Sequence, residues 1–172
     1  MSKAFTRESD DQPEPPAGPR LTTPLPPGAK NYLTPTGAKK LQEELEYLSQ
    51  VERPTAAASA SDESRAQLHA LDQRIAYLAH SLATAVITPA PLPPHERVRF
   101  GATVTVRNRA GTEAHYRLVG ADETDLDRGW VNWSSPIARA LLNGRLGQWV
   151  RFKFPSGEED LQIVAITYED SL

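Results

Sequence analysis

The chain has 172 residues, a net charge of −3, 39% hydrophobic and 24% charged residues, and no cysteine. Disulfides, thiolate metal sites and cysteine nucleophiles are thereby excluded, and the negative balance argues against a general nucleic-acid binder held by phosphate contacts. No apolar run approaches the roughly 18 residues of a membrane span, and Met1 to Asp11 lack the basic and apolar regions of a secretory signal, so a cytoplasmic protein is the economical reading.

Proline divides the chain. Of 15 prolines, seven lie between Pro13 and Pro27 and four between Pro89 and Pro94. Residues 1–30 carry too little apolar surface to offset their ordering entropy and are expected to form a disordered, acidic leader. Within it, Pro24 to Gly28 reads as a stiff spacer in preference to a polyproline recognition motif. Residues 89–97 form a second linker.

Between the linkers, residues 31–88 carry two helical patterns. Thr34 suits an N-cap and Pro35 the first helical position. Ala38, Leu41, Leu45 and Leu48 then recur at heptad spacing, and Pro54 is expected to interrupt or bend this helix. A second seam runs through Leu68, Leu71, Ile75, Leu78 and Leu82, behind Asp62 and Glu63, which favour a helix N-terminus. Two such helices joined by a short polar link predict an antiparallel coiled-coil hairpin reaching to Thr88. Over residues 34–88, five Lys and Arg face seven Asp and Glu, so the arm has no basic stripe to grip RNA.

Residues 98–172 change period. Val104 and Val106 alternate with polar residues, the Arg109-Ala110-Gly111 turn leads to a strand with Tyr116 and Leu118, and Trp130 to Trp133 form a third. Ser134 or Ser135 caps a helix with Pro136 at its first position, Ile137, Leu141 and Leu142 facing the core and Asn143-Gly144 as its stop. Strands at Trp149 to Phe154 and around Leu161, Ile163 and Ile166 complete an α+β module, a small antiparallel sheet on one helix. His69, His80, His95 and His115 are scattered, without metal-ligand spacing. Asp122, Glu123, Asp125 and Asp127 read as a solvated acidic loop, and Trp130, Trp133 and Trp149 as core packing.

Several motifs in order carry a resemblance. Asn31-Tyr32-Leu33-Thr34-Pro35-x-Gly37, then Lys40-Leu41-x-x-Glu44-Leu45-x-x-Leu48 and Arg53-Pro54, resemble the start of the GreA/GreB transcript-cleavage factors. Phe100-Gly101-Ala102-x-Val104, Tyr116-Arg117-Leu118-Val119-Gly120-x-Asp122-Glu123, Ser135-Pro136-Ile137-Ala138-Arg139-Ala140-Leu141-Leu142, Pro155-Ser156-Gly157-Glu158 and Ile163-x-x-Ile166-x-Tyr168 continue it. The resemblance spans residues 31–172 and looks somewhat more like GreB in its C-terminal half. It implies a coiled-coil arm plus a domain similar to FK506-binding proteins. It also implies an accessory factor with no cofactor of its own and no enzyme activity apart from its partner, bacterial RNA polymerase. In the family the globular domain docks at the rim of the secondary channel. The arm enters the channel toward the nascent RNA 3′ end, and acidic tip residues help the polymerase hold a second Mg²⁺ and a water. By position, Ser134, Ser135, Pro136, Ile137 and Arg139 match the polymerase-contacting motif.

The tip departs from the family. Its Gly-Asp-x-x-Glu-Asn-x-Asp/Glu-Tyr run is missing, and only 16 residues separate Arg53-Pro54 from Leu71-Asp72, about two heptads short of the family pattern. Each arm would lose about 10 Å at 1.5 Å per residue, a large miss for carboxylate–Mg²⁺ contacts of about 2.0–2.1 Å. Asp62 and Glu63 are the acidic pair left at the tip. Neighbouring helical residues diverge by about 100°, so their first reading is as helix N-terminal charges. The expected function is a regulator that occupies the polymerase channel, as the short-armed Rnk proteins do, with little cleavage stimulation. The alternatives are a genuine cleavage factor using Asp62 and Glu63 and, distantly, a prolyl isomerase, for which fold alone is a weak warrant.

Overall fold

A computed structural model describes residues 25–59 and 61–169. Most of the expected leader lies outside the described residues. Strand β1 (Asn31–Leu33) leads into helix α1 (Pro35–Tyr47). Thr34 caps it in extended conformation, its hydroxyl accepting the Gly37 N–H at 3.0 Å, with Pro35 in the first turn.

The expected break at Pro54 is instead a widened turn. Residues Leu48–Glu52 are π-helical, with the Arg53 N–H bonded to the Leu48 carbonyl, and α2 (Arg53–Ala57) continues the rod. Proline has no N–H to give, and a wide turn just before it lets the helix re-form with Pro54 in its first turn. Ser61 caps α3 (Asp62–Thr84), accepting the Ser64 N–H at 3.1 Å. The hairpin is antiparallel: Asn31 bonds Ser81, Glu44 pairs with Arg74 and Arg53 with Asp72. Its core is Leu33, Ala38, Leu41, Leu48, Ala56, Leu71 and Leu78, with Leu45, Leu68, Ile75 and Leu82 packed against it.

Helix α3 stops at Thr84, short of the expected Thr88. The β-branched Val86 and Ile87 prefer extended backbone, and Ala85–Ile87 form β2, parallel to β1 with Asn31 opposite Ala85.

The second core lies in a five-stranded sheet of order β5-β4-β3-β7-β6, built from β3 (Thr103–Asn108), β4 (Glu113–Val119), β5 (Trp130–Asn132), β6 (Trp149–Phe154) and β7 (Gly157–Thr167). It is mixed, which corrects the all-antiparallel expectation, because β5 runs parallel to β4. Residues 120–129 return the chain through two 3₁₀ turns to lie beside Arg117, in the C-terminal half of β4, a crossover that a tight hairpin cannot make. In β7, Leu161 and Ile163 are buried and so is Ile166, three residues on. A register shift between Thr105 and Val106 skips Val164 and restores the inward face, as a β-bulge does. Helix α4 (Pro136–Leu141) buries Ile137, Ala138 and Leu141 in the sheet core, and Asn143 takes positive φ just past its end.

Candidate functional site

At the arm tip, Asp62 and Glu63 occupy the first turn of α3, where acidic groups complement the helix dipole. Asp62 is almost fully exposed and ion-paired with Arg65 at 3.0 Å, i to i+3 on the same helix. Glu63 instead lines a hollow with Tyr47, Val51, Glu52 and Thr55 from the opposite strand of the hairpin. The two carboxylates therefore serve different surroundings. Elsewhere on the arm, Arg53 pairs with Asp72 at 2.5 Å and Arg74 with Glu44 at 2.8 Å. Arg53 holds the Asp72 carboxyl below its ordinary value through their hydrogen bond, and Asp72 in turn raises Arg53.

The turn before α4 is a built structure. Asn132 Oδ1 accepts both the N–H and the hydroxyl of Ser134 at 3.0 Å. The Ser135 hydroxyl accepts the Ala138 N–H at 3.3 Å, with Pro136 at the first helical position. Pro136 and Arg139 are exposed, while Ile137 is buried and anchors the turn from beneath. So this surface offers Ser134, Ser135, Pro136 and Arg139 outward, and Ile137 acts through packing.

A third site joins the arm to the sheet, and it corrects the reading of a solvated acidic loop. The Glu123 carboxylate accepts the Thr34 N–H at 2.9 Å, the Thr34 hydroxyl and the Gly120 N–H at 3.1 Å. Asp122 accepts the hydroxyls of Ser81 and Tyr77 from α3. Both helices of the arm are thus held at their base by two adjacent carboxylates. Gly37 and Gly120 permit the approach: a Cβ would lie 2.0 Å from Glu123 Oε1 at the first and 2.1 Å from the Tyr32 carbonyl oxygen at the second. Arg117, only 5% exposed, forms a fork with Glu169, which also accepts from Thr36. Tyr32 adds an aromatic contact, its ring 5.1 Å from Trp133 and 5.6 Å from Phe100. The sequence signal existed in Gly120-x-Asp122-Glu123, but only the fold brings Thr34 to it.

The tryptophans also differ from expectation, for none enters the sheet core. That core is filled by Val, Leu and Ile. Trp130 lies under the cations of Arg117, Lys40 and Arg128 at 4.6, 5.3 and 5.4 Å, and Trp149 is 45% exposed beneath Arg109. The indole face is electron-rich and accepts such cations. The histidines stay apart: His69 contacts Gln73, His115 contacts Thr105, and His95 lies against Tyr168. Among the described residues no three His, Asp or Glu are grouped to hold a metal ion. None of the described helices is long and apolar enough to cross a membrane. The sheet-side hollow of 350 Å³ is walled by Arg109, Arg151, Glu158, Glu159 and Asp160, a polar lining unlike a proline-binding pocket.

Comparison with known proteins places these features. The profile for "Transcription elongation factor, GreA/GreB, C-term" matches residues 93–168. A transcription elongation factor GreA of Alkalilimnicola ehrlichii is 40% identical over 156 residues, covering 81% of this chain and 99% of that protein. A transcription elongation factor GreB of Pasteurella multocida is 33% identical over 153 residues, covering 81% and 97%. Among solved structures, the GreA/GreB factor from Nitrosomonas europaea is 24% identical, covers 81% of this chain and 100% of its own, and superposes with a TM-score of 0.41. A 40% identity over 81% of this chain and 99% of a relative means that the chain belongs to the GreA/GreB family of transcription elongation factors.

Proposed function

We propose that the protein binds bacterial RNA polymerase at the rim of the secondary channel through the Ser134 to Arg139 surface. The helical hairpin, read as a coiled coil, then occupies the channel. It regulates elongation with little or no stimulated cleavage of backtracked RNA. Family membership supports the polymerase as partner. The single observation that carries the non-cleaving reading is the tip, where Asp62 is committed to Arg65 and Glu63 faces the hairpin hollow, so the two carboxylates do not converge on one ion. Arm length agrees. The hairpin rods are 23 residues each, about 35 Å at 1.5 Å per residue.

Any Mg²⁺ in the reaction would be the polymerase's own. Losing one assisting ligand is expected to cost several kcal/mol of transition-state stabilisation, each 1.36 kcal/mol being about tenfold in rate. Backtracked elongation complexes incubated with the protein should release few short 3′ RNA fragments, and the protein should compete with a full-length Gre factor for the channel. Robust release that disappears in Asp62→Asn with Glu63→Gln would establish those carboxylates as assistants and overturn the proposal. Ser135→Glu removes the α4 cap and adds charge at the docking turn, and should weaken polymerase affinity by at least about tenfold while the fold is retained. A pull-down at wild-type affinity would remove the turn from the interface.

A further inference from the structure

Arginines divide into two sets in this protein. Among the described residues, Arg53, Arg65, Arg74, Arg107, Arg109, Arg117, Arg128 and Arg151 all pair with carboxylates. Arg97, Arg99, Arg139 and Arg145 are exposed and form no ion pair among the described residues. The fold gathers these four. Arg97 and Arg145 are partners in an isolated antiparallel bridge, and the segments on either side are zipped together. Val98 N–H donates to the Gly144 carbonyl at 2.9 Å, Asn143 N–H to the Val98 carbonyl at 2.8 Å, and Leu146 N–H to the Glu96 carbonyl at 3.0 Å. Arg99 follows Val98 directly, and Arg139 sits on the outward side of α4, one turn before Asn143.

Two like charges directly opposite in a strand pair are destabilising. Glu96, next in the chain, does not relieve them: it forms no ion pair among the described residues. A local conflict without internal compensation is the mark of a surface whose complement lies outside the chain.

We propose that Arg97, Arg99, Arg139 and Arg145 form a docking face for an acidic patch on a protein partner. This rests on the functional reading above, under which that partner is the polymerase and the patch lies on the channel rim met by the Ser135-Pro136 turn. A protein fits better than a nucleic acid. The patch is continuous with that turn, and Leu146 beside it is 53% exposed, so it combines arginine with apolar surface as interface cores do. The aromatic beside it is engaged, since the Tyr168 hydroxyl donates to the Arg97 carbonyl and accepts the Arg99 N–H while its ring lies against His95, and Arg109 lies over Trp149 at 4.9 Å. The remainder of the chain is acidic, with −3 net despite these four cations, which orients the molecule arginine-first toward a negative surface.

The test is affinity of the full chain for purified core RNA polymerase at two salt concentrations. Arg97→Glu with Arg145→Glu should weaken binding by at least about tenfold, chiefly through a slower association rate. Arg97→Gln with Arg145→Gln should weaken it less, flatten the salt dependence and melt no lower than wild type, because the like-charge pair is gone. Lys153→Glu, at an exposed cation on β6 outside the patch, should bind as wild type. Binding by the double reversal at wild-type strength overturns the docking face and leaves the functional reading standing. Absence of wild-type binding overturns both. Loss of affinity for a short single-stranded RNA in the double reversal, with polymerase affinity unmoved, would assign the face to nucleic acid and overturn the proposal.

Discussion

Three donors converge on the Glu123 carboxylate: the Thr34 N–H, the Thr34 hydroxyl and the Gly120 N–H. Hydrogen bonds to a charged group contribute about 1.5–3 kcal/mol each in net terms when well formed, and here they also cap a helix. Glu123→Ala is expected to destabilise the protein by about 1–3 kcal/mol, leaving the Thr34 N–H without its acceptor. Gly37→Ala should cost a similar amount, about 1–3 kcal/mol, because its methyl group takes the space of the same carboxylate. The two changes share one contact, so the double variant should cost less than their sum. Urea unfolding of the three variants measures this. Additive effects would mean that Gly37 is needed for some other reason.

At the scale of elements, the surface ion pairs respond to acid in a defined direction. Arg53 holds Asp72 below the ordinary 3.8, and Arg109 and Arg151 hold Asp160 below it. A carboxylate depressed in the folded state stabilises it at pH above its unfolded value. The contribution fades as pH falls through the folded value. Wild type should therefore lose thermal stability as pH falls below about 4, and Asp72→Asn and Asp160→Asn should each lose less, converging on wild type at the acid end. The Arg53–Asp72 pair is solvent-exposed and the arginines that hold the half-buried Asp160 are exposed, so the difference at neutral pH is small. Melting curves taken at successive pH values check it; variants that track wild type in parallel would show that neither pair stabilises the fold. The same scale explains the π-helical turn. Pro54 does remove a backbone bond, yet Ala56 beyond it is buried against α3, and that packing favours a rod that continues.

As a whole, the molecule has two apolar cores that share no residue, one along the hairpin and one between sheet and α4. What joins them is polar and aromatic: Glu123, Asp122, the Arg117–Glu169 fork and Tyr32. Residues 91–172 alone should therefore unfold cooperatively, because the sheet core is intact. The midpoint should be lower than in the full chain, since Trp133 and Phe100 lose Tyr32 and Glu123 loses Thr34. Circular dichroism on heating tests this; a broad transition without cooperativity would show that the sheet needs the arm.

The sequence by itself determined the cap at Thr34, a second cap at Ser134 or Ser135, the two leucine seams, the strand pattern and the family. Each of these is local: a cap depends on the next three residues, a helical face on neighbours three and four apart, a strand on alternation. Tertiary structure alone decided the rest. Thr34 and Glu123 are 89 residues apart, and Ser81 and Asp122 are 41. No periodicity links them, so an acidic loop that looks solvated became the clasp of the arm. The parallel placement of β5, the cations over Trp130 and the facing of Arg97 with Arg145 have the same origin. They depend on how segments distant in the chain are brought side by side, which packing determines and local pattern does not encode.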